Sequence, residues 1–268
     1  MNQSNSSKQI LLSVIGVAIL VVAVVGVSFA FFNYTRTGEA NTVKTGTIVF
    51  ETSYTGINVT NLFPVSRSVA IANTEDTAGV VGVTTLSIKG YTTYANGLDY
   101  VVTANSVNFN ATYDDNGTQR TRTIPVSVNV TATNLGTVTT ANGSDNVTTA
   151  RLTGNTDQVT VVNYEVDQSS KAYTALTTGA VLAKGHIKNE TDLRTTEGQI
   201  VIKAYIDTLK VAISDTYNGT DTPTDEMGTT SDWVAGREVL TTEQWNSLAG
   251  STGASFKIKV EANETPAA

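Results

Sequence analysis

Phe256-Lys257-Ile258-Lys259-Val260-Glu261 alternates apolar and charged side chains with a period of two, the pattern of a strand with one face in a core and the other in water. Working outward, Ile200, Ile202, Ala204 and Ile206 alternate in the same way with Val201, Lys203 and Tyr205. Stretches rich in Val, Ile and Thr at 46–51, 68–73, 82–88, 100–104, 124–133, 159–166 and 180–187 predict further strands, since such side chains suit a pleated surface. Turn chemistry separates them: Asn96-Gly97, Asn116-Gly117, Asn142-Gly143 and Asn218-Gly219 are all Asn-Gly pairs. Nothing recurs at a fixed period, which excludes a solenoid or propeller. The expected class is all-β, an antiparallel jelly-roll-like β-sandwich with one or two short helices, preceded by an N-terminal hydrophobic helix.

One of those helices is predicted at 241–249. Thr241 and Gln244 stand at capping-box spacing, and Gly250 follows the last turn. Trp245, Leu248 and Ala249 share one face at helical spacing, so the helix lids an edge of the sandwich. Trp245 reads as a core anchor rather than as a sugar-stacking platform.

The predicted hydrophobic helix is the run ILLSVIGVAILVVAVVGVSFA at 10–30, without a charged residue. About 20 apolar residues cross a bilayer as a helix, whereas an export leader has a shorter apolar region and a small-x-small cleavage site. Ser28 and Ala30 supply that cleavage pattern, and Lys8 is the one basic residue ahead of the run. The favoured reading is cleavage after Ala30, with a retained membrane anchor as the alternative. Either way the rest of the chain is expected outside the cytoplasm, extracellular or at the cell surface and membrane-anchored before or without cleavage. The expected organisation is a leader or anchor at 1–30, an N-terminal segment at 31–45 and a single β-sandwich domain at 46–265.

Composition narrows the function. The chain has no cysteine, so a large core rather than disulfides must hold an exported protein together. A net charge of −7 argues against nucleic acid and anionic lipid as partners. His186 is the only histidine, and neither HExxH nor GxSxG occurs. A nucleophilic triad or a zinc site is therefore not expected, nor is any cofactor, and the chain reads as a non-enzyme. His186 itself is predicted to be a surface or partly packed residue. Asp114 and Asp115 beside Asn116-Gly117, and Asp221 and Asp225 in a loop, are weak calcium candidates, because neither cluster carries the ligand spacing of a calcium loop. Asn58-Val59-Thr60, Asn129-Val130-Thr131 and Asn146-Val147-Thr148 are glycosylation triplets that chance alone produces in a chain rich in Asn and Thr.

Several short motifs resemble a known family. Ala30, Phe32, Asn33, Asn41 and Gly46-Thr47-Ile48, then Asn61-Leu62-Phe63-Pro64 and 69–73 (VAIAN), and near the end Glu243-Gln244-Trp245-Asn246 with 256–262, resemble the TasA/camelysin family of secreted Gram-positive matrix proteins. The resemblance covers both ends and leaves 91–196 poorly matched. It implies a leader removed by a dedicated signal peptidase of the SipW type and jelly-roll subunits that build extracellular biofilm-matrix fibres. It also implies a head-to-tail homopolymer in which a freed N-terminal strand, here Phe31, Phe32, Asn33 and Tyr34, adds to the next subunit, with an accessory matrix protein as a further partner. No metal-ligand cluster supports the protease activity that the camelysin name suggests. The rival from another class is a membrane-tethered adhesin with a loop-borne site near 217–233. A type IV pilin fits less well, because a basic Gly-terminated leader and an early Glu after it are lacking.

Overall fold

A computed structural model describes residues 34–264 apart from 38–40, 46–47, 54–56, 60–62, 74–80, 94–95, 116–117, 146, 148–155, 168, 190, 216–236 and 250–253. In chain order the described elements are β1 (Tyr34–Thr37), β2 (Asn41–Thr45), β3 (Ile48–Ser53), β4 (Ile57–Val59), β5 (Pro64–Val65), α1 (Arg67–Ala72), β6 (Val81–Thr92), β7 (Leu98–Asn108), β8 (Asn110–Asp115), β9 (Thr118–Thr123), β10 (Val126–Thr133), β11 (Thr137–Asn142), β12 (Gln158–Asn163), β13 (Val181–Ile187), β14 (Gly198–Asp207), β15 (Val211–Ile213), β16 (Glu238–Leu240), α2 (Thr242–Ala249) and β17 (Ala254–Glu264). The class is a largely antiparallel, multi-sheet all-β domain with few short helices.

A seven-stranded sheet runs β1-β17-β7-β13-β12-β11, with β4 also on β17. A six-stranded sheet runs β10-β14-β6-β3-β2, with β5 on β14. The alternating stretches build the centres of both. In β17 the apolar set Phe256, Ile258, Val260 and Ala262 is buried, and in β14 Ile200, Ile202, Ala204 and Ile206 are buried. These residues meet in one core cluster that draws on both sheets. Each buried Ile, Val or Phe contributes about 1.5–3 kcal/mol of transfer free energy. On one side a bridge between Val128 of β10 and Tyr164, just past β12, links the sheets, each N–H donating to the other's carbonyl at 2.8 Å. On the other, β1 and β2 belong to different sheets although only residues 38–40 separate them.

One local expectation is corrected. Residues 68–73 do not form a strand: α1 occupies them, with Ala70 fully buried against Val81 and Tyr205 while Val69 is half-exposed. A short apolar run has no period long enough to separate strand from helix, and packing over β14 decides it. The turn expected at Asn142-Gly143 ends β11, and the strand that follows, β12, runs parallel to it. The helix predicted at 241–249 is present as α2. Its capping box closes, with Thr241 N–H donating to Gln244 Oε1 at 3.0 Å and Gln244 N–H to Thr241 Oγ1 at 3.2 Å.

The expected membrane-spanning helix is corrected, and with it the membrane-anchored state. Among the described residues no helix is long and apolar enough to cross a membrane, and the longer of the two, α2, has eight residues. Apolar residues here recur with period two and fill sheet faces. The run at 10–30, with Ser28 and Ala30, lies outside the described residues.

Candidate functional site: the N-terminal strand and the margin it covers

β17 runs eleven residues through the seven-stranded sheet. One of its edges pairs with β7 from Ser255↔Asn108 to Glu264↔Leu98, with a bulge between Ser255 and Lys257. Its other edge is covered piecemeal. β4 takes Ala254 to Phe256, and β1 takes Lys259 to Ala262 through Tyr34↔Ala262, Thr35↔Glu261, Arg36↔Val260 and Thr37↔Lys259. Two short segments from distant parts of the chain thus share one edge, and positions 257 and 258 fall between them. Of the sequence-predicted donor residues, Tyr34 begins β1, while Phe31, Phe32 and Asn33 lie outside the described residues.

Beneath this margin the core is filled. Phe256 is buried edge-on against Phe109, ring centroids 6.2 Å apart. Lys259 and Glu261, half-buried on the opposite face, pair at 2.7 Å. The margin presents a preformed edge with a filled core behind it, which suits main-chain recognition of an extended segment.

His186, expected at the surface or partly packed, is fully buried at 1 % exposure. It is the register partner of Asp99 across β13 and β7, and its Nδ1 lies 2.7 Å from Asp99 Oδ1. An adjoining cavity of about 30 Å³, lined by Asn134, Leu135, Asp157, His186 and Leu193, is far below the size of an organic ligand site.

A second network lies over β10 and β14. The Glu165 carboxylate accepts from Tyr205 Oη at 2.6 Å, from Arg67 Nη2 at 3.0 Å and from Asn129 Nδ2 at 3.0 Å. Burial, reinforced by the Glu165 charge, pushes the Tyr205 phenol far above its ordinary range. Burial likewise raises the Asp207 carboxyl, partly offset by the Leu209 N–H that donates to its Oδ1 at 2.8 Å. A cleft of about 400 Å³ is lined by Ser66, Arg67, Ser68, Asp207, Thr208 and Leu209. Asp207 lies deep in its wall, only 1 % exposed. These networks tie α1 and the segment after β12 to the sheet.

Of the calcium candidates, Asp114 and Asp115 fall among the described residues. Asp114 and Asp115 end β8 opposite Gln119 and Thr118 of β9, as a hairpin would place them, and Asp221 and Asp225 lie outside the described residues. Among the described residues no group of three or more His, Cys, Asp or Glu is arranged to hold a metal. Asn129, the middle glycosylation triplet, is buried at 3 % and closed to modification in the folded chain. The adhesin segment at 217–233 also lies outside the described residues.

Sequence reasoning missed the cross-strand partners. His186–Asp99 and Glu165–Arg67 join positions far apart in the chain, and only the strand order brings them together. Comparison with known proteins finds no matching family model, no matching curated protein and no matching solved structure. What the chain itself defines is a largely antiparallel all-β domain whose N-terminal strand sits on a sheet margin.

Proposed function

We propose that this chain is a structural subunit of an extracellular, TasA-like matrix fibre, a jelly-roll-like sandwich that passes its N-terminal strand from one copy to the next. The observation that carries the reading is the placement of β1. It is a four-residue strand on the margin of the seven-stranded sheet, with β17 its one neighbour among the described residues. A second copy offers the same edge, so the same main-chain register can form between molecules. A head-to-tail exchange of this kind does not close on itself and grows as a filament. Removal of the leader at Ala30 would leave Phe31 and Phe32 at the free end, where each can bury about 150–250 Å².

The test locks the strand at home. Thr37 and Lys259 are register partners, close enough for a disulfide, and the chain has no other cysteine. A T37C/K259C variant is expected to give no fibres by electron microscopy when oxidised and normal fibres when reduced. Fibres formed at the normal rate by the oxidised variant would sink the proposal.

A further inference from the structure

The far margin of the same sheet is β11, Thr137-Val138-Thr139-Thr140-Ala141-Asn142. Among the described residues it pairs only with β12, and every residue of it but the half-buried Ala141 is exposed, Val138 at 43 %. Thr137 N–H donates to Asp157 O at 3.0 Å and Gly143 N–H to Asn163 O at 2.7 Å. The odd-numbered residues therefore face β12, and the backbone groups of Val138, Thr140 and Asn142 point away from the sheet. Those of Asn142 are taken: its N–H donates to Asp145 Oδ2 at 2.7 Å, and its carbonyl accepts from Asp145 N–H at 2.8 Å. Val138 and Thr140 are left, two donors and two acceptors with no partner among the described residues.

Natural sheet edges are normally guarded by Lys, Pro, a bulge or an inward charge. β11 has none of these: its six residues are uncharged and free of Pro, on a chain of net charge −7. A copy of the chain can approach this edge without meeting like charge on the strand itself. We propose that β11 is a self-association surface, pairing antiparallel with β11 of a second copy about a two-fold axis normal to the sheet.

The register follows from the free groups. A two-fold normal to the sheet keeps each face on its own side, so the two paired positions differ by an even number of residues. Placing Thr139 on the axis pairs Val138 of each copy with Thr140 of the other. All the free groups are then used, in four main-chain hydrogen bonds, and the Asn142–Asp145 contacts stay intact. Placing Thr140 on the axis would set Val138 against the Asn142 groups already occupied. In the favoured register the two Thr139 residues form a non-hydrogen-bonded pair, with Cα atoms about 4.5 Å apart, and β-branched pairs flank them. Because this margin lies at the opposite end of the sheet from β1, the pairing stands whether or not β1 is exchanged.

Single-cysteine variants test it. T139C is expected to give a disulfide-linked dimer on mild oxidation at about tenfold the rate of T137C, because the two 137 positions lie about four residues, or 13 Å, apart in this register. T140P removes one outward N–H without touching the ladder to β12. In the T139C background it is expected to abolish the crosslink while leaving the thermal unfolding midpoint close to that of T139C. Equal crosslinking of T137C and T139C, no crosslinking of T139C, or a crosslink that survives T140P would each overturn the proposal. Loss of fibres in the locked T37C/K259C variant with the T139C crosslink intact would separate the two surfaces.

Discussion

At the scale of single residues, close packing and buried charge make the sharpest statements. Gly185 sits opposite Tyr100 in the β13–β7 register, and a Cβ there would overlap the buried Tyr100 ring. Gly185→Ala is therefore expected to destabilise the fold by about 1–3 kcal/mol in urea titration; an unchanged midpoint would mean that the ring has room to move. Asp207 gives a pH dependence. Burial raises its pKa in the fold, so the native chain holds that proton more tightly than the unfolded chain does. This contribution is favourable below the ordinary carboxylate pKa and is lost as pH rises through the folded value. Glu165, Arg67 and Arg237 are the charged groups that act on it, Glu165 opposing the two arginines. Asp207→Asn is expected to gain stability relative to the parent at about pH 7, with the gain vanishing near pH 3–4. A stability difference that stays constant with pH would show that Asp207 is not the titrating group.

At the scale of elements, α2 depends on its cap. Thr241→Ala removes the side-chain acceptor of the Gln244 N–H and is expected to cost about 0.5–2 kcal/mol, read by thermal or urea denaturation. Trp245, buried at 2 % and edge-on to Phe63 at 6.2 Å, then holds a looser lid. Elements also show what a linear pattern can and cannot carry. β17 was legible because one face is apolar and the other half-open, β14 because its apolar set alternates in sequence although Lys203 and Tyr205 on the other face are buried too, and α2 because its cap residues stand at fixed spacing. The helix at 67–72 was not legible, since Ser-Val-Ala-Ile-Ala is too short to display a period. In β10 the residues from Val126 to Val130 are all buried: Tyr164 pairs along its free edge, the Tyr173 Oη donates to the Val126 carbonyl at 2.9 Å, and Glu165 lies against Asn129 and Tyr205 on the second face. No alternation survives where both faces are dry. The parallel course of β11 beside β12 was hidden for a different reason: an Asn-Gly pair fixes a local turn and says nothing about which strand comes next. Of the candidate site, the sequence shows the strand-like start at Tyr34, while its partner β17 lies at the far end of the chain and is found only by folding.

At the scale of the whole molecule, charge governs how copies meet. A net charge of −7 makes every approach of two subunits repulsive until they are close. Raising ionic strength from about 0.01 M to 0.15 M shortens the screening length from about 30 Å to 8 Å. Assembly followed by light scattering is accordingly expected to speed up severalfold over that range. Slower assembly in salt would instead point to steering between opposite charges on the two margins.

The unequal grip on β17 has a mechanical consequence. Along β7 this strand is held for nearly its whole length, but along β1 for four residues only. A pull delivered through the N-terminal segment loads the short joint first and parts it while the core strands stay seated. Under load β1 is a fuse: overstretching costs a joint rather than a fold, and a short joint formed through main-chain pairing can close again once the load is gone.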